Sequence, residues 1–428
     1  MRKMSRVLAV ATGVALLSTA CGGDSGEPAS GGSEEVSPSE SESASGPPER
    51  GDADLVVWTD DLKIDAIRQI ADGFAEDNGI TVDVQAVTDT QGNFITANTA
   101  GNGPDVVVGA HDWIGNMVQN GAIDPLQLTS EQLNTYDPVA VEAVTYQEQL
   151  YGLPYGIEAL VLYRNADIVP DAPATLDDAF AAGQAAVAAG QAQSAFNLPV
   201  GDLGDAYHMQ PLYTSLGGYV FGKTPEGDYD PADLGVGQPG SIAAAQRIFE
   251  LGEGGQKVLS RSVSGDNSIA LFADGQAPFL LSGPWAVPDL DKAGINYQVQ
   301  PVPGFAGAAP AQAFAGVQAF FVASKGQNKA FAQEFVANAV NTEEAMRIMY
   351  EGAALPPALT SLQEAEVANN PNLQAFLDAA RAGDPMPAIP QMAAVFEPLG
   401  KAYAAIVGGA DPAATMQQTG QTISDSIS

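Results

Sequence analysis

Three neighbours in the stretch GPDVVVGAHDWIG carry side chains that can do chemistry: His111, Asp112 and Trp113, placed where an apolar run ends. Glu158 follows in GLPYGIEALVLY; Asp205, Tyr207 and His208 share the segment GDAYHM; Trp285 closes the run APFLLSGPW. Lys63 lies just after the paired acids Asp60 and Asp61. Three chemistries use such residues. A metal centre needs several convergent imidazole or carboxylate ligands. His111 and His208 are the only histidines, so a metal-dependent hydrolase is disfavoured and no metal ligand set is named. A glycosidase needs one protonated and one ionised carboxyl group about 5 to 10 Å apart, roles in which Asp112 and Glu158 can be cast. A clasp that breaks no bond needs carboxylates that accept from hydroxyls, each such bond contributing about 1.5–3 kcal/mol. It also needs aromatic faces to cover the apolar faces of a ring. Asp112, Glu158 and Lys63 would supply that rim, and Trp285 and Trp113 the faces.

Each of these residues also has a plainer reading. Asp112 ahead of WIGNMVQ suits a helix cap. Trp285 after a buried strand, and Phe396 on an apolar helix segment, fit a core. His111 can orient a strand-to-helix turn, and His208 can be structural or touch a ligand beside Tyr207. Glu158 resists such a reading, because a carboxylate amid GLPYGIEALVLY is costly to bury without partners, so it should face a polar cleft. There is no G-x-S-x-G elbow and no P-loop, and no cofactor is called for. EGDYDPADLG lacks the glycine and the terminal glutamate of a calcium loop and reads as a hairpin turn.

The elements that must position these residues are legible in the periodicity. LVVW reads as a buried strand, and Ile64, Ile67, Ile70 and Phe74 have helical spacing that stops at Asn78–Gly79. ITVDVQAV alternates like a half-covered strand, a helix is expected near 90–100, and DVVVGA is a continuous apolar strand. This order predicts a parallel sheet covered on both faces, with ligands at the carboxyl ends of its strands. Asp60, Asp61 and Lys63 would then neighbour Asp112 and Trp113 at one mouth. Two apolar runs flank Gly156–Glu158, and Ala-rich helices are expected near 176–189 and 241–252. Two later strands are expected in APFLLSGPW and FAGVQAFFVAS. Asn341 and Glu344 have capping-box spacing, and the last third is mostly helical.

With 428 residues the chain is long enough for two domains. Seventeen basic against 52 acidic residues give a net charge of −35, which strongly disfavours binding to phosphate backbones, and hence nucleic acid as a partner. At the start, MRKMSR is basic and VLAVATGVALL is an apolar run too short to remain as a membrane span. Small residues then precede Cys21, the sole cysteine, which rules out an intramolecular disulfide. Residues 1–21 resemble a bacterial lipoprotein signal, which implies lipidation at Cys21, anchorage by acyl chains worth about 0.8 kcal/mol per buried methylene, and residence on the outer face of the cytoplasmic membrane. The alternative is ordinary secretion with a free thiol. Residues 22–53, rich in Gly, Ser, Pro and Glu, read as a disordered tether.

The segments GPDVVVGAHDWIG, YGLPYGIEALVLYRNADI, FNLPVGDLGDAYHMQPLYTSLGGYVF, LLSGPWAVPDLD, FAGVQAF and MPAIPQMAAVF occur together and in order. From about residue 54 to 425 the chain resembles the maltose/maltodextrin-binding proteins, extracytoplasmic receptors of ABC importers. The resemblance implies a two-lobed α/β periplasmic-binding fold of class II type, with chain crossings near 156–160, 313–318 and 366–370. One lobe would comprise 54–157 plus 316–368, and the other 158–315 plus 369–428. Its ligand contacts fall on Lys63, Ala110, Asp112, Glu158, Tyr207, Trp285, Met386 and Phe396, with Asp205 in place of a glutamate. Asp61 and Asp60 both remain candidates for the upstream acid. Gly109 replaces a family tryptophan, Trp113 an arginine, Glu397 a stacking tyrosine and Gly400 another arginine. The resemblance implies binding without catalysis, of a maltose-like or short glucose oligosaccharide. It also implies delivery by a monomer to the permease subunits of an importer. Trehalose, or an amino sugar held through Glu397, is the alternative ligand, and a surface-anchored glycoside hydrolase the alternative class.

Overall fold

The computed structural model describes residues 49–427, so the leader, Cys21 and the tether up to residue 48 lie outside the described residues. The fold opens as β1 (Leu55–Thr59), α1 (Ile64–Asn78), β2 (Val82–Ala86), α2 (Thr90–Ala100) and β3 (Val106–Ala110). A single 3-10 turn, His111–Trp113, leads into α3 (Ile114–Gln119) and the two-residue β4 (Ile123–Asp124). The chain continues through β5 (Gly152–Glu158), β6 (Val161–Asn165), α4 (Leu176–Ala188) and α5 (Ala206–Ser215). Next come β7 (Phe221–Lys223), β8 (Tyr229–Leu234), α6 (Pro239–Leu251), β9 (Phe279–Ser282), α7 (Val287–Ala293) and β10 (Tyr297–Pro301). It closes with β11 (Gly316–Ala323), α8 (Glu343–Ala353), α9 (Pro371–Ala382), α10 (Phe396–Val407) and α11 (Pro412–Ile427).

Two sheets organise these elements. The first runs β2-β1-β3-β11-β4, with β5 also paired to β11; the second runs β9-β6-β10. β1 is parallel to β2 and β3, as the strand–helix–strand pattern requires. All five residues of β1 are buried, which is why it reads as an unbroken apolar run. The sheet is not wholly parallel, however. β11 returns from the second sheet and inserts antiparallel beside β3 and β5, and all pairings in the second sheet are antiparallel. The chain passes from the first sheet to the second between Glu158 and Val161 and returns between Pro301 and Gly316.

Local signals explain the ends of these elements. α1 stops at Gly79, whose φ of +63° is the left-handed conformation that suits glycine. α4 begins with a reciprocal capping box between Thr175 and Asp178. For α8 the cap is Thr342, which accepts from Ala345 N, and not the expected Asn341, whose side chain instead accepts from the Tyr136 hydroxyl at 2.6 Å. EGDYDPADLG forms the β7–β8 hairpin. Among the described residues no helix is long and apolar enough to cross a membrane.

The ordered body begins before residue 54. Arg50 is docked, its guanidinium donating at 2.8 Å to Asp105 Oδ2. Asp105 is fully buried, and it also accepts from Val56 N and Asn328 N at 2.8 and 2.9 Å. One carboxylate thus ties β1, the foot of β3 and the turn after β11. Asp105→Ala would strand a buried guanidinium and two backbone donors, and chemical denaturation should show a loss of about 3–5 kcal/mol. A loss below about 1 kcal/mol would show that the anchor is dispensable.

Candidate functional site

The ends of β1 and β3 deliver the first half of the site. After β1 the chain turns sharply: Asp60 accepts from Leu62 N at 3.0 Å and its carboxylate pairs with the Lys63 ammonium. Lys63 is buried, Asp60 half-buried and Asp61 exposed, so Asp60 is the acid that faces inward. After β3, Ala110 leads into the 3-10 turn that places Asp112. The side chain of Asp112 does not cap α3, and its Oδ1 is shut off from solvent with no hydrogen-bond partner. Burial, with a smaller contribution from the Glu158 charge, pushes the Asp112 carboxyl up to about 7.

Glu158 stands at the end of β5, where Gln318 of β11 donates to its Oε1 at 3.3 Å. The register explains the meeting, since Gln318 lies opposite both Ala110 and Gly156. Burial raises the Glu158 carboxyl above its ordinary range; the Gln318 bond and the Lys63 charge oppose that, and the Asp60 charge adds to it. Lys63, Asp60, Asp112 and Glu158 are therefore brought together.

The second half comes from the other sheet's side. Asp205 caps α5, accepting from His208 N at 2.8 Å, and its other oxygen bonds His208 Nδ1 at 2.7 Å. Burial raises this carboxyl, but the bonds and charge of His208 outweigh it and hold Asp205 below the usual carboxylate range. Both Asp205 oxygens are thus committed to the helix start. Tyr207 offers its face between Trp285, 6.2 Å away between ring centroids, and Phe314, at 6.5 Å and 26°. Burial, then the charges of Glu158, Asp205 and Asp112, drive the Tyr207 hydroxyl far above its ordinary range. Its oxygen has no partner.

Two glycines seat the indoles. A Cβ on Gly283 would lie 2.1 Å from the Trp285 ring, and one on Gly109 would lie 2.0 Å from the Trp113 ring. Each indole therefore rests flat against the end of a strand where any side chain would displace it. Trp113, in a position the resemblance reserves for arginine, fills the space that the missing side chain at Gly109 leaves.

Other expected residues stand apart. Glu397 is exposed and pairs with Lys401 one turn on, and Phe396 is half-buried against the core at the start of α10. Met386 is buried and contributes its backbone, as acceptor to His111. Three site residues escape the sequence reading: Tyr155, whose buried hydroxyl is unpartnered and feels the charges of Asp60 and Glu158; Gln318; and Phe314. For Tyr155 and Gln318, strand alternation in GLPYGIE and GVQAF is the available signal, but it cannot tell which face meets the other sheet; Phe314 precedes β11 and has no such signal. A cavity of about 640 Å³ borders His111 and Met386 but is not lined by Asp60, Asp112, Glu158 or Asp205. His111 holds neither metal nor ligand there, because both of its nitrogens are bonded to backbone.

Four buried oxygens without partners (Asp112 Oδ1, Tyr155 OH, Tyr207 OH and Gln318 Oε1) thus surround Glu158 beside aromatic rings. Such an arrangement exchanges hydrogen bonds with several hydroxyls while covering an apolar ring face.

Comparison with known proteins bears on this geometry. The model of the bacterial extracellular solute-binding protein family matches residues 69–375. The chain is 27% identical over 395 residues to the galactooligosaccharide-binding protein of Bacillus subtilis, covering 88% of this chain and 90% of that one. It is 28% identical over 405 residues to the maltooligosaccharide ABC transporter solute-binding lipoprotein of Streptococcus pneumoniae, covering 92% and 90%. Over 303 residues it is 26% identical to the maltotriose-binding protein of Pyrococcus abyssi, covering 69% and 64%. The family is one of binding proteins of transporters and not of enzymes, in keeping with a site built to hold hydroxyls.

Two measurements check the site's physics. Because the Asp112 carboxyl is raised, its contribution to stability is complete below about pH 4 and is lost as pH rises to about 7. The thermal midpoint of the unliganded wild type, relative to Asp112→Asn, should therefore fall across that window; a flat difference would contradict the burial. Gly283→Ala should displace Trp285, seen as an altered near-ultraviolet circular dichroism spectrum with the far-ultraviolet spectrum kept. With its matched span running through both sheets and through Asp112, Glu158, Tyr207 and Trp285, the chain belongs to the bacterial extracellular solute-binding proteins.

Proposed function

We propose that this protein is the substrate-binding component of an ABC sugar importer and binds a maltose-like or short glucose oligosaccharide between its two sheets. The observation that carries the reading is the set of unpartnered buried oxygens on Asp112, Tyr155, Tyr207 and Gln318 beside the Trp285 and Tyr207 rings. A pyranose satisfies both parts, its hydroxyls pairing with the oxygens and its C–H face lying on a ring. The names of the relatives, which specify malto- and galacto-oligosaccharides, support a neutral hexose oligomer. Asp61 and Glu397, both exposed, are the weakest members of the expected contact set, and Asp60 takes the place of Asp61.

In this reading the lobes comprise 54–157 plus 316–368 and 158–315 plus 369–428, and the ligand joins Lys63 and Asp112 on the first to Tyr207 and Trp285 on the second, with Glu158 at the crossing between them. Contacts completed only when the lobes meet favour the closed form, which a permease then recognises. Lipidation at Cys21 and the tether keep a monomeric receptor at the outer face of the membrane.

Titration calorimetry with maltotriose and with a galactooligosaccharide tests the assignment. Wild type should bind at least one of them, and Asp112→Ala combined with Trp285→Ala should abolish binding while the far-ultraviolet spectrum stays intact. Unchanged affinity in the double variant would remove the site. Incubation of wild type with maltooligosaccharides should return them uncut, and release of shorter sugars would overturn the receptor reading in favour of a hydrolase.

A further inference from the structure

His111 comes directly after β3 and is fully buried, yet no part of it is used by the carboxylate cluster. Its Nδ1 accepts from Val317 N at 3.1 Å, which fixes the neutral tautomer with the proton on Nε2; Nε2 then donates to Met386 O at 3.0 Å. Val317 lies at the start of β11, where the chain has just returned from the second sheet. Met386 lies in the segment that leads from α9 toward α10, and α10 packs against α5 and α6. These two connecting segments are also bonded to each other: Ala315 N donates to Asp384 O at 2.9 Å, and Met386 N to Ala315 O at 3.1 Å. One imidazole therefore joins three separate pieces of chain at the residue next to Asp112. No other described side chain bonds the end of β3 to both connecting segments.

We propose that His111 is a positioning residue that locks the Asp112 turn to the two segments connecting the sheets, so that displacement of one sheet against the other is felt at the ligand carboxylate. Ligand contact at Asp112 and the relative placement of the sheets are then coupled through two backbone hydrogen bonds. Without the imidazole, the turn carrying Asp112 keeps the β3–β11 ladder but loses its side-chain bonds to Val317 and Met386, and the coupling weakens. The consequence for affinity rests on the sugar-binding reading, whereas the coupling itself does not.

Three variants of the full chain separate these points. His111→Phe keeps a planar ring, slightly larger than imidazole, and removes both bonds; His111→Gln keeps one donor and one acceptor; Ile423→Ala, in the buried face of α11, supplies a destabilised control away from the cleft. Hydrogen–deuterium exchange without ligand should quicken at both the Val317 and Met386 amides in His111→Phe, but not in Ile423→Ala. If only Val317 responds, or neither does, the coupling is refuted. Calorimetry with maltotriose and with a galactooligosaccharide should show about a tenfold loss of affinity in His111→Phe, partial recovery in His111→Gln and no loss in Ile423→Ala. Wild-type affinity in His111→Phe refutes the positioning role, as does an equal loss in Ile423→Ala, which would mark a general effect of stability. Should wild type bind neither sugar, the sugar reading fails, and the exchange rates at Val317 and Met386 still decide the coupling.

Discussion

Carboxyl groups held out of water beside the Lys63 ammonium set the terms for the rest of this molecule. Asp112 and Glu158 both resist ionisation because of burial, and at Glu158 the Lys63 charge, already paired with Asp60, offsets only part of that cost. A protein keeps such a cluster only where surrounding structure enforces it. The enforcement here is the meeting of strand ends: β1 supplies the Asp60–Lys63 turn, β3 supplies Asp112, β5 supplies Glu158, and β11 supplies the Gln318 amide that bonds it. The antiparallel insertion of β11 between β3 and β5 is what brings the last three into reach.

Aromatic rings meet this polar cluster from the other sheet, and the ring seats obey a common rule. Trp113 and Trp285 each come after a strand, occupy a 3-10 turn and lie over a glycine at the strand's end. A flat, rigid surface is thus held without a flexible stem, which limits the entropy lost when a ligand docks on it. Asp205 contributes differently from the other acids. It fastens the start of α5 through His208, and that helix presents Tyr207 between Trp285 and Phe314. Through these bonds Asp205 orients the Tyr207 ring.

Much of this is legible in the chain's own pattern. The apolar runs at Leu55–Thr59 and Val106–Ala110, and the helical spacing between them, determine three parallel strands with their carboxyl ends adjacent, because burial on both faces demands unbroken apolar strands. The same reasoning singles out Glu158 as an acid that must have polar company, and the glycine at residue 79 as a helix stop. The hairpin at EGDYDPADLG also arises from turn chemistry alone. Tertiary structure decided every choice between neighbours on one turn or one strand. Asp60 rather than Asp61 faces the cluster, Thr342 rather than Asn341 caps its helix, and Arg50 belongs to the folded body through a carboxylate 55 residues away. Tyr155 and Gln318 enter the site only because strands distant in sequence lie side by side, and Phe314 because the segment returning to β11 passes Tyr207. Local pattern reports which residues seek burial, whereas which buried face meets which is set by long-range pairing, and no short-range preference encodes that.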